Sequence, residues 1–265
     1  MSASPPGELA DYFGAIAPSQ EAYHDGEDGS EDGGAPRPGA NFNVAPTSEV
    51  FVVYEREATR RLERFTWGLV PSWAKDPSIG NKLANARSET VTTKNAFRKA
   101  VSRRRCIIPA DGFYEWTKVP GHRKKQPWYI YRPDGEPMAF AGLWELWRPG
   151  LPAGPARAGH AAGESPLLAS CTILTTSAND KLAELHDRMP VLLAPSAWDR
   201  WLDRTVVDAD SILDLLVPAP SQLIAFYPVS TEVNNARNQG PQLREAIAVI
   251  DPDGKGDLAE LRLDI

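Results

Sequence analysis

Asn85 and Arg87 stand two residues apart in LANARSE, so from an extended segment both side chains point the same way, with Glu89 two residues further on. An amide and a guanidinium aimed together suit a phosphate or a sugar oxygen, and the guanidinium can bind such a group through two parallel N–H donors. The same pattern also suits a network that only holds a loop. Glu115 lies in GFYEW, where strand alternation puts Phe113 and Glu115 on one face and Tyr114 and Trp116 on the other. A carboxyl beside an aromatic ring tends to have a raised pKa and can exchange protons near neutrality; the plainer role is a carboxylate paired with an arginine. His186 sits in LHDRMP, at a junction ended by Pro190, where backbone and carboxylate partners can hold its ring. Imidazole titrates in the useful range, but a lone histidine gains meaning only if it meets Glu115 in one pocket. Trp67, Trp73 and Trp116 offer faces on which bases can stack, or else build core.

The elements that must position these groups are short. Strand patterns occur in EVFVVYE, RLERFTWGLV, RRCIIPA, GFYEWTKV, PWYIYRP, MAFAGLWELW, SCTILTT, MPVLLA and QLIAFYPV, which are rich in β-branched and aromatic residues and bounded by Pro, Gly or Asp. Helices fit GELADYFGAI, TKNAFRKAVSRR, SANDKLAELH, PSAWDRWLD and DADSILDLL. Ala96, Phe97, Ala100 and Val101 make an apolar stripe in the second of these, and SAWD has the form of a capping box, a serine cap with an acid three residues on. Strands outnumber helices without strict alternation, so the expected class is α+β, an antiparallel, barrel-like β core with short peripheral helices. One domain over 1–265 is expected, with disordered inserts at 20–40 and 148–167 and a variable acidic tail at 249–265.

Composition narrows the class further. With 42% hydrophobic and 24% charged residues the chain has the balance of an ordinary globular protein. Its start lacks the basic residues and apolar run of a signal peptide, and no apolar stretch approaches the roughly 20 residues that span a bilayer. A cytoplasmic protein without membrane association is expected. Cys106 and Cys171 both fall in apolar strand-like runs, which favours buried hydrophobes over ligands, and the four histidines form no metal-binding spacing. DPDGKGD lacks the final acid of a calcium loop. No metal or organic cofactor is implied. The net charge of −6 argues against a nucleic-acid partner only globally, since the acids cluster in EAYHDGEDGSEDGG and the C-terminal segment while FRKAVSRRRC concentrates positive charge. That run also suits a plain solvated helix face.

The segments NFNVAPT, WGLVPSWAKD, NARSET, AFRKAVSRRRCIIPADGFYEW, FAGLWE, TILTTSAND, HDRMPVLL and PVSTEVNNARNQGP, in this order from about Leu9 to Gln242, resemble those of the SOS response-associated peptidase family. Its members attach covalently to abasic sites in single-stranded DNA. The resemblance implies that an N-terminal cysteine, exposed by removal of methionine, captures the ring-opened sugar aldehyde through its α-amine as a Schiff base and then closes a thiazolidine with its thiol. It implies that Asn85 holds the N-terminal residue or the sugar, Arg87 binds phosphate, Glu115 assists proton transfer at the imine, and His186 acts on ring opening and on crosslink reversal. Pro46, Trp73 and Trp116 would shape the groove that splays the strand. It further implies a monomer, nucleoid-associated when on damaged DNA, and a self-processing peptidase activity.

The chain departs from the family pattern at its start. Family members begin Met-Cys-Gly-Arg and reach the first helix after a short strand, whereas this sequence begins Met1-Ser2-Ala3-Ser4 and enters that helix at once. Two expectations follow. Either the natural product starts further upstream with Met-Cys-Gly-Arg, or the protein is a thiol-less variant. In the second case the α-amine of Ser2 can still form a Schiff base, so the protein either cleaves abasic sites by β-elimination or only binds single strands.

Overall fold

The computed structural model describes residues 4–18, 40–121, 124–148 and 167–248. The expected inserts and acidic tail lie outside the described residues, apart from Ala40, Arg148 and Leu167. In chain order the elements are α1 (Pro6–Phe13), β1 (Glu49–Arg56), β2 (Thr59–Trp67), β3 (Asn85–Arg87), α2 (Arg98–Arg103), β4 (Arg105–Ala110), β5 (Gly112–Thr117), β6 (Gln126–Tyr131), β7 (Met138–Trp147), β8 (Leu168–Ser177), β9 (Arg188–Pro190), α3 (Trp198–Leu202) and β10 (Ala225–Pro228).

Strands β4 and β7 read as apolar runs rather than alternations because both of their faces are covered: all of β4 is buried, and all but one residue of β7. On one face Ile107, Ala139, Ala141 and Leu143 pack with Leu9 and Phe13 of α1, Phe97 and Val101 beside α2, and Trp198 and Trp201 of α3. On the other, Cys106, Ile108, Met138, Phe140 and Trp144 meet Ile130 of β6 and Phe113 of β5. Helices, large sheet and small sheet therefore form three layers. Each fully buried Leu, Ile or Phe in them contributes about 1.5–3 kcal/mol.

The large sheet runs β2-β1-β4-β7-β8-β3, with β9 also on β8. A two-residue contact of β2 with β8 makes the strand bonding ring-like without forming a true barrel. Most pairings are antiparallel as expected, but those of β8 with β2 and β3 are parallel. The small sheet is antiparallel, in the order β10-β6-β5.

Several expected elements change character. SANDKLAELH contains only a 3₁₀ turn at Leu182–Glu184; Asn179 accepts from the Leu182 N–H at 2.8 Å, as an N-cap does, and donates to Ala219 O at 2.8 Å, but β9 begins four residues past the turn and leaves no room for a longer helix. DADSILDLL forms a 3₁₀ helix, Ala209–Leu215, capped by Asp208 and followed closely by Pro218. The expected capping box is not formed: Ser196 lies inside the turn Pro195–Ala197, and Asp199 pairs with Arg60. In MPVLLA only the beginning is strand. Beyond it Val191 donates to Leu174 O and accepts from Ala141 N, both at 2.9 Å, so the chain wedges between β7 and β8.

Arg105 joins the helical layer to the sheet. It is 2% exposed, and its guanidinium donates to Trp201 O at 2.6 Å, Val101 O at 2.8 Å, Ser102 O at 3.0 Å and Asp203 O. One side chain thus satisfies carbonyls at the C-terminal ends of both α2 and α3. Arg105→Met should destabilise the protein by about 2–4 kcal/mol, since a charged donor set is lost and buried carbonyls are left bare. Urea unfolding measures this, and an unchanged midpoint would refute the role.

Candidate active site

β1 pairs with β2 along its whole length but with β4 only through Val53↔Ile107 and Tyr54↔Cys106. Beyond those pairs, Glu49, Val50 and Phe51 on one side and Ile108, Pro109 and Ala110 on the other line a cavity of about 800 Å³. Pro109 has no N–H to offer a neighbouring strand. The cavity is walled mainly by apolar and aromatic groups, including Trp67, Phe113, Trp116 and Phe140, and is of the size that takes small ligands.

Strand β5 lines this space with Phe113, Tyr114 and Trp116; Glu115, between the last two, is not one of the lining residues. The strand begins at Gly112, where a Cβ would stand 2.3 Å from Ile130 O, so only glycine lets β6 come this close. Phe113 then packs edge-on against Phe140, with centroids 5.8 Å apart, while Tyr114 donates to Phe42 O at 3.0 Å and Trp116 Nε1 donates to Asn234 Oδ1 at 2.7 Å. These contacts fix both faces of the strand around Glu115. Burial pushes the Glu115 carboxyl above the usual carboxylate range, against the opposing pull of His186, of the Trp116 N–H and of Lys125. Of these opposing effects the pull of His186, the other residue singled out from sequence, is the largest.

His186 is held by its own chain. Its Nδ1 accepts from the Arg188 N–H at 3.0 Å and lies 3.3 Å from Asp187 Oδ1. Arg188 O also stands 3.3 Å from Nδ1, so this one nitrogen meets a donor and two acceptors, and the contacts fit either neutral tautomer. The side chain of Arg188 spans back to Glu89 through Nη1–Oε1 at 2.5 Å and Nη2–Oε2 at 2.9 Å, and donates to Thr175 O at 2.6 Å. That pairing holds the Glu89 carboxyl below its ordinary range.

Asn85 and Arg87 are exposed on β3 with Ala86 buried between them, as the spacing predicts for one extended segment. In register Asn85 sits beside Ile173, which lines the cavity, and Arg87 beside Thr175. Pro46 and Trp116 line the cavity; Trp73 does not and is exposed on the excursion between β2 and β3. Trp67, considered for stacking, lines the cavity with its indole N–H on Ala84 O at 2.8 Å. Sequence reasoning assigned no role to Arg188, Asn43 or Asn234. Asn43 is buried and donates to Val233 O and Asn235 O, both at 3.0 Å, so NFNVAPT and NNARNQG are clamped together along one wall. The signal was available in two Asn-rich motifs far apart in sequence, but their pairing was not. Among the described residues no three His, Cys, Asp or Glu side chains form a metal-binding group, and no helix is long and apolar enough to cross a membrane.

The chain belongs to the SOS response associated peptidase (SRAP) family, whose profile matches residues 7–236. It is 39% identical over 206 residues to the abasic site processing protein YoqW of Bacillus subtilis (strain 168), a match covering 78% of this chain and 86% of that protein. To the abasic site processing protein YedK of Escherichia coli (strain K12) it is 32% identical over 213 residues, covering 80% and 87%. A crystal structure of a Bordetella bronchiseptica protein superposes with a TM-score of 0.57 at 30% identity, covering 71% of this chain and 86% of that one. A Bacteroides thetaiotaomicron protein shares the fold with a TM-score of 0.63 at 23% identity over 76% and 82%.

The raised Glu115 pKa gives stability a definite sign with pH. In the unfolded chain the group loses its proton near 4.5, whereas in the folded protein it keeps the proton to higher pH. The native state therefore binds more protons in that window, and stability falls as pH rises through the folded pKa. Glu115→Gln, which stays neutral, should melt at a higher temperature than the wild type at neutral pH, and the difference should close on acidification below 4.5. Equal melting at neutral pH would remove the desolvation argument.

Proposed function

We propose that this protein recognises abasic sites in single-stranded DNA and links covalently to the sugar through the amine of an N-terminal residue. The observation that carries the reading is the half-buried Glu115, its carboxyl pKa raised by burial against the pull of His186, on a strand whose Phe113, Tyr114 and Trp116 line the apolar cavity. The names of the relatives YoqW and YedK support the same substrate. In the proposed sequence His186 aids opening of the deoxyribose ring to its aldehyde. The free amine adds to the aldehyde carbon, and Glu115 delivers a proton to the departing hydroxyl so that water leaves and the C=N bond forms. A neutral, proton-bearing carboxyl is what this step needs, and burial favours that form. Asn85 holds the sugar or the terminal residue, and Arg87 binds a phosphate. Pro46, Trp116 and the exposed Trp73 shape the path of the strand.

A single-stranded oligonucleotide with one abasic site, incubated with and without borohydride, tests this by gel shift under denaturing conditions. Wild type should give a covalent band, and Glu115→Gln or His186→Ala should slow its appearance by about 100-fold or more. A band seen only after borohydride reduction would mark a Schiff base that does not close a second ring. Equal, salt-sensitive binding to intact and abasic strands with no covalent product would leave plain strand binding instead. Arg87→Ala should weaken binding to any sequence and reduce the slope of log K against log salt by about 0.7, the share of one phosphate contact on a single strand. An unchanged slope would remove Arg87 from the DNA path.

A further inference from the structure

The site contains one ion pair that no step above uses. Glu89, just past β3, and Arg188, the first residue of β9, meet in a fork-to-fork pair, and Arg188 also donates to Thr175 O. β3 and β9 are each three residues long, and both hang on β8. Arg87 and Pro190 are both in register with Thr175, so the ion pair ties the two short strands together across it.

The same residue that makes this tie also holds the imidazole. The Arg188 backbone N–H is the donor to His186 Nδ1, and Asp187 Oδ1 stands on the same nitrogen. Anchoring the guanidinium therefore anchors the peptide that orients the ring. We propose that the Glu89–Arg188 ion pair is a positioning device that fixes the orientation of the His186 ring through its Nδ1, leaving Nε2 as the reacting nitrogen. This rests on the reading of His186 as part of the reacting site.

Two observations favour positioning over simple stability. The Glu89 side chain is 51% exposed, and an ion pair so open to water contributes little to folding. The bidentate geometry, by contrast, is suited to fixing direction.

The test uses Glu89→Gln, which keeps shape and loses charge, and Arg188→Lys, which keeps charge and loses the fork. The ¹⁵N shifts of the His186 ring, assigned against His186→Ala, report its tautomer. In the wild type a single neutral tautomer is expected. In either variant the ring should average between tautomers, and covalent capture at saturating abasic oligonucleotide should slow by about tenfold, as losses of an orienting partner do. Affinity for an intact oligonucleotide should not weaken. A single tautomer with wild-type capture in a folded variant overturns the proposal. So does a loss of affinity that accounts for the loss of capture, since the pair would then serve DNA binding. If one variant fails to fold, the other decides. If the wild type itself captures no abasic strand, the functional reading fails while the ring shifts still decide whether the pair orients His186.

Discussion

Strand β8 hydrogen-bonds to four other strands, and it can do so only because each of its edges is handed over midway. One edge serves β7 through Leu168 to Ile173 and then β9 through Thr175 to Ser177; the other serves β2 at Ser170 and Cys171 and then β3 from Ile173 to Thr175. Buried hydroxyls brace these changeovers: Ser170 accepts from the Val70 N–H at 2.9 Å, and Thr172 donates to Ala84 O at 3.0 Å. The two shortest strands of the large sheet, which carry Asn85, Arg87 and the residue beside His186, are thus set against one half of a rigid, buried strand. Loop-like segments gain strand-like precision in this way.

The large features of this arrangement were readable because long apolar patterns dominate them. Strands β4 and β7 could belong only to a sheet interior, and α1 declared itself by a proline at its start and Gly14, at φ +60°, closing its end. The alternation in GFYEW held, with Phe113 and Trp116 in different clusters. What failed was local: SANDKLAELH and DADSILDLL, ten and nine residues long, form only 3₁₀ turns capped by Asn179 and Asp208, cut short where the chain turns into β9 or meets Pro218. Where the chain must turn is set by what it packs against, and periodicity carries no record of that. The same limit hid Arg188. Its partner Glu89 is 99 positions away, and each residue alone reads as an ordinary surface charge.

The two titratable groups of the site are placed in opposite ways. Glu115 is withdrawn from water on β5, between an aromatic cluster on one side and Phe140 on the other, and burial raises its carboxyl pKa. His186 stays exposed on a turn that its own neighbours brace. One group is tuned by what surrounds it and the other by what holds it. The separation lets the two be altered independently.

The two cysteines have a different bearing. Cys106 and Cys171 are fully buried, and burial raises both thiols above their ordinary range, which leaves almost no thiolate at neutral pH. The folded core is accordingly silent toward alkylating reagents, and these are the only sulfhydryls in the sequence. Any label taken up under native conditions reports an opening of the central sheet itself. The protein carries, without engineering, an internal clock for how often β4 and β8 come apart.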